Sequence, residues 1–251
     1  GYRRSLSLAD AVSRVRFTAG CGGQDREMFL SHRDQVLVLR IEGGRGFTAR
    51  YDGGGCPCAV SFDGADLCAR VLAREDVHSD GNTGVTMHLR LRVLAEGGSV
   101  AAGDGCLRVR TAGEAVVLLA MNTDYGGADA FALSREQVEA ASRLGYGELR
   151  RRHAGDFKAL FGRCDLDLGE APDLPTDEWL RSVQAGAGNG ALAALMFQYG
   201  RYLLISSSRE DSPLPAHLQG VWNDGIACRM GWTCDLHLDI NTEMNYWPAH
   251  A

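Results

Sequence analysis

Through about residue 125, apolar and polar positions alternate over short stretches that glycines interrupt. Val15-Arg16-Phe17-Thr18 alternates, and residues 24–31 could pair with it across the Gly20-Cys21-Gly22-Gly23 turn. Residues 35–41 form a short apolar run ended by Gly43-Gly44. Further runs follow at Met87–Leu94, Leu107–Arg110 and Ala115–Met121. Short strands separated by glycine turns predict antiparallel sheets stacked as a sandwich. Period-two alternation puts Arg90, Arg92, Arg108 and Arg110 on one side of their strands, which reads as a solvated face.

From about residue 126 the period changes to that of helices. Ser134 with Gln137 three residues on resembles a capping box for a helix through Arg143. A second helix over Gly145–Phe161 carries Tyr146, Leu149, His153, Phe157 and Leu160 at spacings of three and four. His153 has neither an acid nor a second histidine at i±4 and reads as a packing residue. Pro172 and Pro175 mark a boundary, and Thr176 is placed to cap the next helix, with Asp177 and Glu178 in its first turn. Gly186, Gly188 and Gly190 precede an apolar helix over 191–208, whose wide apolar stripe predicts burial among other helices. Pro213 and Pro215 prevent its continuation. Regular helix is next expected near Asn241, with Asn241 as its cap.

Composition narrows the function classes. The 251 residues are 45% hydrophobic and carry a net charge of −6, enough apolar residue for a sizeable core and no basic footprint for nucleic acid. No apolar run reaches the roughly eighteen residues a membrane span needs. The eight cysteines lack paired metal-ligand spacing and read as structural thiols, which leaves the redox compartment open. The start, Gly1-Tyr2-Arg3-Arg4, has no initiator methionine, so processing or truncation is expected there.

The last forty residues are the most informative. Trp222, Trp232, Tyr246 and Trp247 lie among Asn223, Asn241, Asn245 and several acids, a mixture that suits stacking a sugar ring while bonding its hydroxyls. Asp235, Asp239 and Glu243 repeat every four residues and would share a face if the segment were helical, although the intervening Leu236, Leu238 and Ile240 fit an extended passage as well. Tyr246 and Trp247 read as core positions.

The stretches Leu214-Pro215-Ala216-His217-Leu218-Gln219-Gly220-Val221-Trp222-Asn223 and Ile240-Asn241-Thr242-Glu243-Met244-Asn245-Tyr246-Trp247-Pro248-Ala249 resemble glycoside hydrolase family 95, the inverting α-L-fucosidases. Phe197–Arg209 and, near the start, Tyr2-Arg3-Arg4 with residues 26–32 agree in the same order. The resemblance implies an α+β multidomain enzyme: an N-terminal β-sandwich, a helical linker, an (α/α)6 catalytic barrel and a C-terminal β-domain. On that map the chain is an internal fragment, with 1–125 the later part of the sandwich, 126–172 the linker and 173–251 the first barrel helices.

The resemblance also implies roles. An asparagine contacts the nucleophilic water and draws basicity from an aspartate on a later barrel helix. The family's two asparagines, one residue apart, match Asp239 and Asn241; Asn241 fits, whereas Asp239 departs, since an ionised carboxylate only accepts where an amide also donates. Helix capping would compete for the same Asn241 oxygen. His217, Trp222 and Asn223 resemble pocket-lining positions, with Trp222 a platform for the apolar face of fucose, and Glu243 is a further substrate-binding candidate. The general acid and the supporting aspartate match no residue here, so the fragment alone is expected to be inactive. The implied substrate is a fucosylated oligosaccharide or glycan, an L-galactoside being the alternative sugar and a non-catalytic carbohydrate-binding module the alternative role. No cofactor or metal, no nucleic acid and no membrane is expected; the partner is the remainder of the parent polypeptide, and the resemblance points to a secreted or periplasmic place.

Overall fold

The structure, a computed structural model, describes residues 1–20, 22–75, 81–218, 220–222 and 235–250. Their contacts divide them into two units: 1–7 with 11–156, and 8–10 with the described residues of 157–222 and 235–250. Each is taken by itself.

In the first unit, eleven strands form two antiparallel sheets. The larger has the order β1(Arg3–Ser7), β2(Val12–Ala19), β3(Gly22–Ser31), β4(Val36–Glu42), β11(Glu114–Thr123), β8(Asn82–Ala95), β7(Asp66–Glu75), β6(Cys58–Asp63). The smaller has the order β5(Gly46–Arg50), β10(Cys106–Arg110), β9(Ser99–Gly103). The expected pairing of β2 with β3 is present, from Ser13 opposite Met28 to Ala19 opposite Gly22. Cys21, in that turn, lies outside the described residues, as do Cys228 and Cys234; Cys56, Cys58, Cys68, Cys106 and Cys164 are free thiols.

Two cores lie on opposite faces of the large sheet. On one face Val12, Phe29, Val36, Val38, Leu118 and Ala120 meet Val138, Ala141 and Leu149 of a helix, α1(Ala130–Phe161). On the other, Ile41, Leu67, Leu91, Val93 and Val117 meet Leu107 and Val109 of the small sheet. This double cover explains why Ala115–Leu118 of β11 is buried without interruption. Beyond the small sheet the alternation is visible again: Phe29 is buried, whereas its neighbour Leu30 is 68% exposed.

The four arginines do not share one solvated face. Arg108 and Arg110 are exposed on β10, but Arg90 is 2% exposed beneath α1. Its guanidinium donates to Asp66 at 2.7 Å and to Asp63 at 2.8 Å and lies 5.2 Å from the centre of the Phe131 ring. Arg92 forks onto the same Asp66 at 2.7 and 2.8 Å and reaches Ser142 of α1 at 3.3 Å. The alternation is right; what it does not carry is that an aspartate from β7 and a helix cover the polar side.

Helix α1 begins four residues before the expected cap. Asp129 caps it, its carboxylate accepting from the Ala132 amide at 3.0 Å. Ser134 is buried instead, donating to the Ala130 carbonyl at 2.8 Å and accepting from Asn122 at 2.9 Å. Gly145, at φ 73° and ψ 160°, breaks the helix in a region open essentially to glycine alone, which separates the two expected helices. Past the break, Tyr146 donates to Glu27, Arg150 donates to Glu27 at 3.0 Å, and His153 stacks on Phe29 with 4.6 Å between ring centres. His153 is therefore the packing residue its surroundings predicted. Burial, reinforced by the Glu27 carboxylate, pushes the Tyr146 phenol well above its ordinary pKa.

The second unit contains α2(Thr176–Gln184), α3(Gly190–Ser207) and a one-turn helix α4(Glu243–Tyr246). Thr176 is already helical; Pro175 holds the capping position without a side-chain bond. Helix α3 is not buried all round: Met196 is 70% and Tyr199 46% exposed. Its anchored side carries Ala194 and the buried Arg201, whose guanidinium donates to the carbonyls of Phe161 and Cys164 at 2.8 Å and lies 5.0 Å from the Phe161 ring centre. A cation at a helix C-terminus satisfies carbonyls that have no intrahelical donor. Among the described residues no helix is long and apolar enough to cross a membrane.

Candidate active site

Three segments of the second unit converge around the end of α3. The first is α3 itself, the second the irregular stretch 208–222 that its prolines enforce, and the third the stretch 235–250. Polar bonds knit them together. The Leu218 amide donates to the Asp235 carbonyl at 2.9 Å, and Asn245 Nδ2 donates to the His217 carbonyl at 3.1 Å. The Tyr246 hydroxyl accepts from the Ala216 amide at 2.8 Å and shares a second bond with Ser208 Oγ at 2.8 Å. Tyr246 is thus a polar clasp, not simply a core residue.

Asp239, Asn241 and Glu243 lie where the backbone changes direction. Asp239 has φ −69° and ψ 101°, and Ile240 has φ 65° and ψ −35°. A β-branched residue in the left-handed region is strained, at a cost on the order of 1–3 kcal/mol. The strain is held by Thr242, whose amide and hydroxyl both donate to the His237 carbonyl, at 3.0 and 2.9 Å. Because Asp239 and Ile240 are not helical, Asp235, Asp239 and Glu243 do not line a common helical face. Asp239 and Glu243 are exposed, and Asn241 is half-buried. Thr242 occupies the position before α4 and makes no side-chain cap.

Trp222 belongs to another side of the region. Its ring is 6.3 Å from that of Tyr202, its Nε1 donates to the Leu203 carbonyl at 3.4 Å, and half of its surface is open. Tyr202 in turn stacks on Tyr199 at 5.8 Å and packs on Phe157 at 6.1 Å, and burial raises its phenol pKa. An indole fixed at its edge with an open surface is a ready platform for an apolar sugar face. Asn223 and Trp232 lie outside the described residues. Trp247, expected in the core, is 62% exposed, because a single helical turn buries only the side carrying Asn245 and Tyr246.

One pair escaped the sequence reading. His237 Nδ1 is 3.3 Å from Asp235 Oδ1, a carboxylate–imidazole pair directly before Asp239. Its signal was the Asp-x-His spacing, which puts both side chains on one side of an extended segment. Among the described residues no three His, Cys, Asp or Glu side chains stand close enough to hold a metal ion. The described wall therefore offers an amide, carboxylates, imidazoles and an indole, which is chemistry for binding hydroxyls and positioning water.

Comparison with known proteins agrees with this chemistry. Residues 145–251 match the model of the glycosyl hydrolase family 95 catalytic domain, and residues 1–128 match that of the glycosyl hydrolase family 65 N-terminal domain. A protein of Arabidopsis thaliana named alpha-L-fucosidase 2 is 30% identical over 99% of this chain and 33% of its own length. A probable alpha-fucosidase A of Aspergillus niger is 28% identical over 99% of this chain and 33% of its own. The chain thus spans about a third of the length of these relatives. Among solved structures, a putative kojibiose phosphorylase from the human microbiome aligns with a TM-score of 0.53 at 12% identity, covering 87% of this chain and 29% of that one, a likeness of fold alone.

Proposed function

From the match of residues 145–251 to the glycosyl hydrolase family 95 catalytic domain, we propose that this chain is part of an inverting α-L-fucosidase that removes terminal α-1,2-linked L-fucosyl residues from oligosaccharides or glycans. In this reading residues 1–125 are the later part of an N-terminal β-sandwich domain, 126–172 the helical linker, and 173–251 the beginning of an (α/α)6 catalytic barrel. The observation that carries it is the strained turn at Asp239–Ile240, held beside Asn241 and tied to the His217 loop. Strain of this kind persists where surrounding bonds over-determine it, and such places are commonly functional.

Inverting hydrolysis needs one acid to protonate the leaving oxygen and one base to activate water on the opposite face, the two carboxyl groups about 6.5–9.5 Å apart to admit that water. Asn241 takes the water-facing role. Its amide oxygen accepts a proton of the attacking water and becomes an adequate base when an aspartate on a later barrel helix polarises it. The general acid comes from the same later part of the polypeptide. Asp239 lies beside the water position and accepts from a sugar hydroxyl. Trp222 stacks on the apolar face of fucose, and His217, Asn223 and Glu243 bind hydroxyls around it.

The test is an assay of the complete polypeptide that carries this chain on 2′-fucosyllactose and on the matching L-galactoside, with the first-formed anomer followed by NMR. Inverted fucose is the expected product, and Asn241→Ala lowers kcat by about 10²–10⁴-fold, the usual worth of a positioned proton acceptor. Retained configuration, or an Asn241→Ala enzyme of undiminished kcat, refutes the reading.

A further inference from the structure

We propose that Tyr246 is a positioning residue for this reaction, its hydroxyl clasping the stretch that carries Asn241 against the loop that carries His217. The proposal rests on the fucosidase reading for its kinetic consequence, and on geometry alone for the clasp. Helix α4 is a single turn with no side-chain cap at its start, far too short to be stable by itself. Directly before it the backbone is strained at Ile240, with φ 65°. Such a segment takes its position from its ties.

Two of those ties are local, the Thr242 bonds to His237. The others reach across. Tyr246 meets Ala216 and Ser208, both at 2.8 Å, and Asn245 meets the His217 carbonyl at 3.1 Å. Ala216 is 6% exposed, so its amide depends on the phenol for an acceptor and would be left buried and unpaired without it. One oxygen therefore links the end of α3, the residue before His217 and the helix that follows Asn241. Loss of the hydroxyl alone, with the ring retained, should let Asn241 drift relative to a sugar bound near His217. Small displacements of a positioned group are costly in rate, with about 1 Å worth roughly 10²-fold.

Tyr246→Phe in the complete polypeptide tests this, with Ser208→Ala as the milder companion, because the Ala216 bond survives in it. Two readouts are taken. Hydrogen exchange of the peptide spanning residues 238–244 should quicken by about tenfold while that of α3 stays unchanged. On 2′-fucosyllactose kcat should fall by about 10–100-fold with KM within about threefold, a split that a loss of folded enzyme does not produce once active sites are counted with a fucose-mimicking iminosugar. Unchanged exchange overturns the clasp. Faster exchange with unchanged kcat overturns the positioning role. A wild-type enzyme inactive on fucosides removes the fucosidase reading and the catalytic role with it, whereas the exchange result still decides whether the hydroxyl holds the segment.

Discussion

Replacing Asp66 by alanine should be the most damaging single change in the β-unit away from its apolar core. Asp66 is 2% exposed and accepts three guanidinium bonds, from Arg90 at 2.7 Å and from Arg92 at 2.7 and 2.8 Å. Hydrogen bonds to charged groups are each worth about 1.5–3 kcal/mol, so a plain sum would reach roughly 4.5–9 kcal/mol. That sum is too large for two reasons. The Arg92 side chain is 26% exposed and can turn its fork to water, while Arg90 keeps its bond to Asp63, which is itself 49% exposed. What remains is a buried cation deprived of its buried partner, and breaking such a pair costs about 3–5 kcal/mol. Arg92→Met should cost much less, because Asp66 retains Arg90. Hydrogen exchange of β8 and β11 peptides measures the difference: at about 1.4 kcal/mol per tenfold, Asp66→Ala should speed exchange through unfolding by roughly 10²–10⁴-fold. If Asp66→Ala and Arg92→Met prove equal, each under about 1 kcal/mol, the network is ornamental and the reasoning is wrong.

Two further outcomes follow from the structure. The Tyr146 phenol is held above its ordinary pKa by burial and by Glu27, so the fold keeps a proton that the unfolded chain releases; its contribution to stability is complete below about pH 10 and falls above it by up to about 1.4 kcal/mol per pH unit, so Tyr146→Phe should make the loss of stability in urea titrations between pH 9 and 11.5 shallower, the remainder coming from other groups that burial raises, such as Tyr51 and Cys68. Trp222→Ala should raise KM for 2′-fucosyllactose by about 3–10-fold with kcat nearly unchanged, matching about 0.5–1.5 kcal/mol of ring stacking, and an unchanged KM would assign the indole to packing against Tyr202.

Strand and helix types were largely legible because they are written at single-residue periods. The runs at 87–94 and 115–121 lie within β8 and β11, and Gly145 separates the two expected helices. Strands β6, β7 and β9 were not legible as apolar runs. β9 instead announces itself through its turn, where Asp104 and Gly105 at φ 50° and 69° join it to β10 as a two-residue Asp-Gly hairpin. The start of α1 was misread because Ser134 and Asp129 are both plausible caps by residue type. Only the tertiary partners of Ser134, Asn122 and the His88 carbonyl, show that its hydroxyl is used elsewhere. Arg90 fails in the same way: its own strand says nothing about an aspartate 24 residues earlier that makes burial tolerable.

The candidate site divides along the same line. Side-chain chemistry could be read from the last forty residues, because amides, indoles and carboxylates crowd there. Geometry could not, since the decisive feature is the left-handed Ile240, and nothing in a β-branched residue type announces φ 65°. The non-helical torsions at Asp239 and Ile240 keep the acids from sharing a helical face. A continuous helix from 235 to 243 would have stacked Asp235, Asp239 and Glu243 into a self-contained set of carboxylates. The turn breaks that stack, leaves Asp235 with His237 at 3.3 Å, and puts Asp239 and Asn241 on either side of a strained residue. Asp235 is engaged with His237, and on the proposed reading the exposed Asp239 and Glu243 serve as acceptors for sugar hydroxyls. On the proposed reading, then, the proton transfers must be completed by groups from elsewhere in the polypeptide, with Asn241 as the contribution of this wall.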